Sequence, residues 1–330
     1  MRSKVATTIS AFFLITYLSG NNFALFAKSE EADFVKASTH YIPPKRKAAE
    51  DNLIIVERLR VHYIESGAGP TVVMIHGNAG GVEDFEFGVI DLLSREYRVI
   101  AIDRPGHGKS DRPSRKAATL EYQAQLLHQT FLQLGITQSV LVGHSWGAAL
   151  ALLYALQYPE EVSAMVLLAP AAYADNGANR LLRTAVKTPL LGDLSLLLGK
   201  FMVGRRILKR ELTQAFYPQE VPVDYLKVAS SSWLGRRQVK AFLEDEWSLN
   251  DSLKTMSMRY CDISIPTVII TGDEDKIVSP QENSFRLHAA IPQSQLIQLK
   301  GTGHEIPQTH PESIRWALTW ISHSLTAKLN

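Results

Sequence analysis

The chain has almost no cysteine: Cys261 is the only one among 330 residues. A single thiol excludes an intrachain disulfide and any cysteine-based zinc or iron–sulfur site. An excess of either charge is also missing, because 35 Lys and Arg stand against 33 Asp and Glu, a formal net charge of +2. Nucleic-acid-binding proteins usually carry a strong basic excess, so the sequence predicts no nucleic-acid partner.

Internal repeats and low-complexity tracts are absent as well. Hydrophobic residues make up 45% of the sequence and charged residues 21%, which is close to the average of globular proteins. A chain of this length forms one or two domains and buries a large core without a disulfide or metal to stabilise it. The composition therefore predicts a folded, nearly neutral protein and leaves its chemistry to the motifs.

The N-terminal segment 1–27 differs from the rest of the chain. Arg2 and Lys4 precede the uncharged, largely apolar run Val5–Leu18, a pattern typical of a secretory signal peptide. The run is short for a membrane span, which needs about 20 apolar residues, so an uncleaved anchor and a plain flexible terminus are the alternatives. A signal peptide or an anchor would make the protein exported or membrane-anchored. The polar segment 28–51 is predicted to be a linker.

Strands and helices alternate from residue 52 onward. Two short runs, Leu53–Val56 and Leu59–Ile64, are expected to pair with each other. Six further runs are continuously apolar, as in strands that are buried on both faces of a parallel sheet. They are Thr71–Ile75, Tyr97–Ile102, Ser139–Val142, Val162–Leu168, Thr267–Ile270 and Gln295–Leu299. Helical stretches lie between them, among them Asp84–Arg95 and Leu120–Leu134, so the pattern predicts an α/β fold with helices on both faces of a mostly parallel sheet.

One long stretch, residues 173–263, interrupts this alternation. It contains no strong strand and is rich in leucine. A helical insertion between two strands of one sheet is best interpreted as a cap over the carboxyl edge, where open α/β sheets bind their ligands. The sequence therefore predicts a core formed by residues 52–172 and 264–330, with a helical cap of residues 173–263 inserted after the sixth strand.

A nucleophile motif follows the strand at Ser139–Val142. Residues 143–147 read Gly-His-Ser-Trp-Gly, which matches the G-x-S-x-G pattern between a strand and a helix. Small residues on both sides allow the sharp, strained turn that exposes the serine hydroxyl at the helix start. A chance match in a chain of this composition is expected about 0.1 times. We therefore predict Ser145 as the nucleophile.

A serine nucleophile requires a base and a carboxylate that orients it. His304 follows the last apolar strand and is the predicted base; His310, beside a helix start, and His323, within the final helix, are its late competitors. Asp275 follows the strand Thr267–Ile270 and is the predicted acid, with Asp273 in the same loop as the alternative. The resulting order along the chain, Ser-Asp-His, is that of the α/β-type serine hydrolases.

A glycine-containing loop, residues 76–81, follows the first long strand. Its backbone N–H groups are suited to stabilise an oxyanion, and we predict the amides of Asn78 and Trp146 as the donors. A phosphate-binding loop would end in Lys followed by Ser or Thr, which is absent here. The loop that contains Asp273 and Asp275 lacks the length and spacing of an EF-hand. The sequence therefore predicts no cofactor and no metal.

Taken together, these motifs resemble the α/β-hydrolase fold superfamily over residues 52–326. The resemblance rests on residues 76–80, 103–111, 143–147 and 272–275 and on Gly303-His304, and it implies the capped, serine-nucleophile branch, which is esterase- or lipase-like and related to epoxide hydrolases and carbon–carbon bond hydrolases. Epoxide hydrolases and haloalkane dehalogenases have an aspartate where this chain has Ser145, which argues against both activities. The resemblance also implies that residues 103–111 form a structural loop rather than a catalytic one.

Three hypotheses for the function follow. The first is a serine hydrolase that cleaves a carboxylic ester or lactone through an acyl-enzyme. The second is a carbon–carbon bond hydrolase with the same triad, and the third is a ligand-binding member of the fold without catalysis. The expected partner is a small ester-like substrate.

The basic cap segment 205–210 has two interpretations. Its positive charges suggest contact with an anionic membrane, helped by the N-terminal segment. A solvated helix face is the simpler interpretation.

Overall fold

The structure, a computed structural model, describes residues 50–174 and 203–327. All of them belong to the compact unit Arg46–Asn330. The predicted signal or anchor segment 1–27, nearly all of the predicted linker 28–51 and the leucine-rich start of the cap at 175–202 lie outside the described residues. The first strand begins at Glu50, two residues before the predicted start of the core at residue 52.

A single eight-stranded sheet with the order β1-β2-β4-β3-β5-β6-β7-β8 organises the described residues. Strands β1 and β2 are antiparallel, β2 runs antiparallel to β4, and every other neighbouring pair is parallel. The strands are β1 Glu50–Val56, β2 Leu59–Ser66, β3 Thr71–Ile75, β4 Arg98–Ile102, β5 Ser139–His144, β6 Val162–Leu168, β7 Thr267–Gly272 and β8 Ser294–Leu299. The predicted mostly parallel α/β sheet is confirmed.

Helices of the described residues flank this sheet. They are α1 Glu83–Glu86, α2 Val89–Leu93, α3 Leu120–Leu134, α4 Trp146–Gln157, α5 Val203–Phe216, α6 Val223–Ser232, α7 Arg236–Met256, α8 Arg286–Ala290, α9 Ile306–Thr309 and α10 Pro311–Ala327. The single helix predicted over Asp84–Arg95 is wrong, because Gly88 adopts a φ of 109° and separates α1 from α2.

Local sequence explains where the strands and helices begin and end. The central strands β3, β5 and β7 consist mainly of apolar residues and are almost entirely buried, as expected for strands covered on both faces. Thr119 caps the start of α3, where its side chain accepts a hydrogen bond from the Tyr122 amide, and Gly135 follows the last residue of the helix in the left-handed conformation. Threonine before a helix and glycine after it are common capping residues.

The cap helices α5, α6 and α7 lie between β6 and β7 in the chain. Phe216 and Tyr225 pack α5 against α6 in a small apolar cluster of their own. Helix α7 buries Ala241, Asp245 and Leu253, and Leu253 joins the main core. None of the helices in the two described ranges is long and apolar enough to cross a membrane.

Candidate active site

Ser145 lies at the sharp turn between β5 and α4. Its backbone angles are φ 52° and ψ −113°, a conformation that costs energy for a residue with a side chain and is often found at functional sites. The flanking glycines are required by space. A Cβ on Gly143 would lie 2.6 Å from the Gly147 carbonyl oxygen, and one on Gly147 would lie 2.2 Å from the Ile75 carbonyl oxygen. The sequence motif is therefore a consequence of how closely α4 approaches β3 and β5.

His304 and Asp275 meet across the loops that follow β8 and β7. The His304 Nδ1 atom lies 2.7 Å from Asp275 Oδ2, and both side chains are buried. The other carboxylate oxygen, Oδ1, accepts hydrogen bonds from the Ile277 and Val278 amides at 2.8 and 2.9 Å. The carboxylate is thus held from both sides and oriented toward the imidazole.

The alternative candidates for the acid and the base do not take part in the His304–Asp275 pair. Asp273 accepts a hydrogen bond from the Thr302 amide at 3.3 Å. His310 contacts the Thr302 hydroxyl, and His323 is exposed on α10. The structure therefore pairs His304 with Asp275 and not with Asp273, while the catalytic roles of all these residues remain predictions.

His144 connects the serine turn to the His304 loop. The His144 Nε2 atom lies 3.0 Å from the His304 carbonyl oxygen, and the two imidazole rings have centroids 4.9 Å apart. Burial and the neighbouring His304 lower the pKa of His144 to about 3, so it is neutral at physiological pH. Within the described residues, no hydrogen bond joins the Ser145 hydroxyl to the His304 imidazole. In unliganded enzymes this contact is often long and tightens when substrate binds.

Nearby charges set the protonation of the pair. Burial alone would lower the pKa of His304, but the Asp275 carboxylate and its hydrogen bond, together with Glu305, outweigh it and raise that pKa. Burial would likewise raise the pKa of Asp275, yet His304 and the two backbone donors lower it. Asp275 is therefore ionised and stabilises a protonated imidazole.

An acidic group that the sequence analysis missed adjoins His304. It consists of Glu83, Asp84 and Glu305. Burial raises the pKa of Glu305 to about 7. Burial, with Glu83 and Glu305 nearby, holds the pKa of Asp84 well above its ordinary value, and the Tyr225 hydroxyl of α6 donates to Asp84 Oδ1 at 2.9 Å. Nothing in the sequence pattern indicated that α1 and the residue after His304 would meet.

The two predicted oxyanion donors belong to two different segments, the start of α4 and the loop after β3. Trp146 is the first residue of α4, and the first N–H groups of a helix have no acceptor within the helix. Asn78 lies in the loop after β3, where its side chain donates to the Phe242 carbonyl of α7 at 3.2 Å. Gly77, the residue before Asn78, lies close to the serine turn, because a Cβ there would lie 3.1 Å from His144 Nδ1 and 3.4 Å from the Ser145 Cβ. The loop after β3 therefore borders the serine turn directly.

A buried ionic network joins Arg104 and Arg112, which follow β4, to α7. Asp245 is fully buried and accepts from Arg104 Nη1 at 2.5 Å and from Arg112 Nη1 at 2.9 Å. Burial alone would raise the pKa of Asp245, but Arg104 and His107 outweigh it and lower that pKa to about 2. Burial and Arg104 lower the pKa of His107 to about 4. The sequence analysis named residues 103–111 as structural but gave no sign of their partner on the cap.

The basic cap segment is exposed on α5. Arg206, Lys209 and Arg210, with Tyr217 and Lys276, line an open groove of about 610 Å³. Among the described residues, no group of three or more His, Cys, Asp or Glu side chains is arranged to hold a metal ion.

Comparison with known proteins agrees with the geometry. Residues 70–311 match the family model described as alpha/beta hydrolase fold. The chain is 30% identical over 262 residues to Uncharacterized hydrolase YugF of Bacillus subtilis, covering 77% of this chain and 89% of that protein. It is 27% identical over 286 residues to a 2-hydroxy-6-oxononadienedioate/2-hydroxy-6-oxononatrienedioate hydrolase of Klebsiella pneumoniae, covering 82% and 94%.

A solved structure shows the same fold. The meta-cleavage product hydrolase of Pseudomonas fluorescens IP01 superposes with a TM-score of 0.67 at 23% identity, covering 84% of this chain and 98% of that one. The family match spans well over half of the chain and includes every residue of the predicted triad and oxyanion hole. The chain belongs to the alpha/beta hydrolase fold family.

Proposed function

We propose that the protein is a serine hydrolase that cleaves a carboxylic ester or lactone through an acyl-enzyme. The hydrogen bond between His304 Nδ1 and Asp275 Oδ2, beside the strained turn at Ser145, is the observation that carries this proposal. With the Nδ1 proton donated to Asp275, the Nε2 atom of His304 is left as the acceptor for the serine proton.

The proposed reaction has two stages, formation of the acyl-enzyme and its hydrolysis. The Ser145 oxygen attacks the substrate carbonyl carbon while its proton passes to His304. The oxyanion is stabilised by the Asn78 and Trp146 amides, and removing one such donor typically slows catalysis about 100- to 1000-fold. His304 returns the proton to the leaving alkoxide. Water, deprotonated by His304, then attacks the acyl-enzyme and releases the carboxylic acid and Ser145.

Replacing the serine tests this proposal. Ser145→Ala is expected to lower kcat on p-nitrophenyl butyrate by at least about 10⁴-fold, since loss of the nucleophile removes the acyl-enzyme route. Ser284→Ala, a buried serine far along the chain from the motif, is the matched control and should retain activity. If Ser145→Ala retained near-wild-type turnover, the proposal would be wrong.

Cleavage of a carbon–carbon bond is the second candidate. It is favoured by the relatives named as hydrolases of 2-hydroxy-6-oxo-dienoic compounds. A comparison of kcat/KM for p-nitrophenyl butyrate and for 2-hydroxy-6-oxo-6-phenylhexa-2,4-dienoate separates the two candidates. A clearly higher value for the dienoate assigns the protein to the second.

A role outside the cytoplasm belongs to the same proposal. The basic start and the apolar run Val5–Leu18 support export or anchoring of the chain. N-terminal sequencing of the protein recovered from the outer side of the cell membrane tests this. Recovery of the intact chain from the cytoplasm alone would contradict it.

A further inference from the structure

Arg104 holds two carbonyl groups of the loop after β3. Its Nε atom donates to the His76 carbonyl at 3.2 Å, and its Nη2 atom donates to the Gly77 carbonyl at 2.9 Å. The Gly77 carbonyl also lies 2.8 Å from His76 Nδ1. Burial and the nearby Arg104 hold the pKa of His76 well below its usual range. A neutral His76 that accepts the Arg104 amide at Nε2, 3.0 Å away, carries its proton on Nδ1 and donates it to Gly77.

The Gly77 carbonyl belongs to the same peptide unit as the Asn78 N–H. A trans peptide is planar, and its C=O and N–H point in opposite directions. Two donors on the carbonyl therefore fix the direction of the Asn78 N–H. They also polarise the peptide, which makes that N–H a stronger donor.

Arg104 is in turn held by the cap. Asp245 of α7 accepts from Arg104 Nη1 at 2.5 Å, and Gln123 of α3 accepts from the same atom at 3.2 Å. The guanidinium lies over the Trp146 ring with its carbon 3.9 Å from the ring centroid. Arg104 therefore contacts the Trp146 side chain and the Gly77 carbonyl, which shares a peptide unit with the Asn78 N–H. Its charge is balanced by a carboxylate from the cap.

We propose that Arg104 and Asp245 are positioning residues that orient the Asn78 amide toward the oxyanion. The cap thereby contributes to the catalytic site, because α7 supplies the carboxylate that places the guanidinium. This inference rests on the proposed serine mechanism.

Arg112 provides a matched control. It donates to the same carboxylate through Nη1, and to Glu244 Oε2 at 2.9 Å and the Pro105 carbonyl at 2.8 Å. Its side chain is nearly as buried as that of Arg104. Within the described residues, however, its hydrogen bonds go to these three groups and not to the loop after β3. Arg104→Lys and Arg112→Lys therefore both disturb the ionic network, and only the first removes the donors to His76 and Gly77.

The experiment measures kcat, KM and Tm for p-nitrophenyl butyrate hydrolysis by both lysine variants and by Asp245→Asn. Inhibition by a trifluoromethyl ketone, whose serine adduct carries an oxyanion, is measured alongside. We expect Arg104→Lys to lower kcat about 100-fold and to weaken the ketone similarly, with KM within about threefold. Arg112→Lys should lose a comparable amount of Tm but less than about fivefold in kcat, and Asp245→Asn should lie between the two.

Two outcomes overturn the inference. One is an equal loss of kcat in Arg104→Lys and Arg112→Lys that follows the loss of Tm. The other is a kcat of Arg104→Lys close to wild type while the variant is folded. Ser145→Ala separates this failure from that of the proposed function: if it abolishes turnover and Arg104→Lys does not, only the positioning role is wrong. If Arg104→Lys does not fold, Asp245→Asn, which keeps an acceptor oxygen facing Arg104, decides by the same kcat and ketone readouts.

Discussion

Replacing Asp275 by asparagine reverses the direction of one hydrogen bond and leaves the shape of the side chain nearly unchanged. In the wild type, Oδ1 accepts from the Ile277 and Val278 amides and Oδ2 accepts from His304 Nδ1. The asparagine oxygen retains the two backbone donors, so its NH₂ group faces the imidazole. A donor at that position requires His304 Nδ1 to be an acceptor and places the ring proton on Nε2.

The cost follows from that tautomer. An Nε2 that carries a proton cannot accept the Ser145 proton, and in serine proteases the equivalent change lowers kcat about 10⁴-fold. At 1.36 kcal/mol per tenfold change in rate, this corresponds to roughly 5 kcal/mol of transition-state stabilisation. KM should change little, because Asp275 is buried behind the imidazole. The assay is steady-state hydrolysis of p-nitrophenyl butyrate.

Asp273→Asn is the control for this prediction. Asp273 lies in the same loop and accepts from the Thr302 amide, a hydrogen bond that an asparagine oxygen retains. Its kcat should stay within about tenfold of wild type, since no general base depends on it. If Asp275→Asn kept activity within tenfold while Asp273→Asn lost it, the assignment of the acid would be refuted.

Two further predictions concern the surroundings of the triad. Gly147→Ala should destabilise the protein by roughly 1–3 kcal/mol, because the added Cβ would lie 2.2 Å from the Ile75 carbonyl oxygen. Gly235→Ala is the control, since a Cβ there has no contact closer than 3.4 Å. Urea unfolding of both variants measures the difference, and equal stability of the two would contradict the prediction. Glu305→Gln removes a carboxylate that raises the pKa of His304. The base must be neutral to act, so the acidic limb of the kcat/KM profile should move to lower pH in this variant. The control is Glu282→Gln, at an exposed position. A limb that does not move in Glu305→Gln would count against the role of Glu305.

The sheet was predictable because its strands follow from short, local patterns, and the candidate residues of the triad were identified from patterns of the same kind. Continuous apolar runs such as Thr71–Ile75 identify strands buried on both faces, and the glycines at 143 and 147 mark the tight turn around Ser145. The distinction between Asp273 and Asp275 rested on position relative to the following helix, and the structure pairs the latter with His304.

The ionic network and the acidic group were not predictable in the same way. Arg104 and Asp245 are 141 residues apart in sequence, and each looks like an ordinary charged residue in its own segment. Their pairing depends on where α7 docks, which no local periodicity specifies. Glu305 was missed for a related reason: the groups that interact with it include Asp84 of α1 and Tyr225 of α6, which are distant in sequence. The break at Gly88 was missed because an apolar pattern continued across it.

Covalent labelling of Ser145 tests the central claim most directly. The full chain is treated with a fluorophosphonate, and its intact mass and peptide masses are measured for wild type, Ser145→Ala and His304→Gln. We expect one label on the wild-type protein, attached at Ser145, no label on Ser145→Ala, and labelling of His304→Gln that is at least about 100-fold slower. A wild-type protein that hydrolyses p-nitrophenyl butyrate yet remains unlabelled at residue 145 would contradict the account.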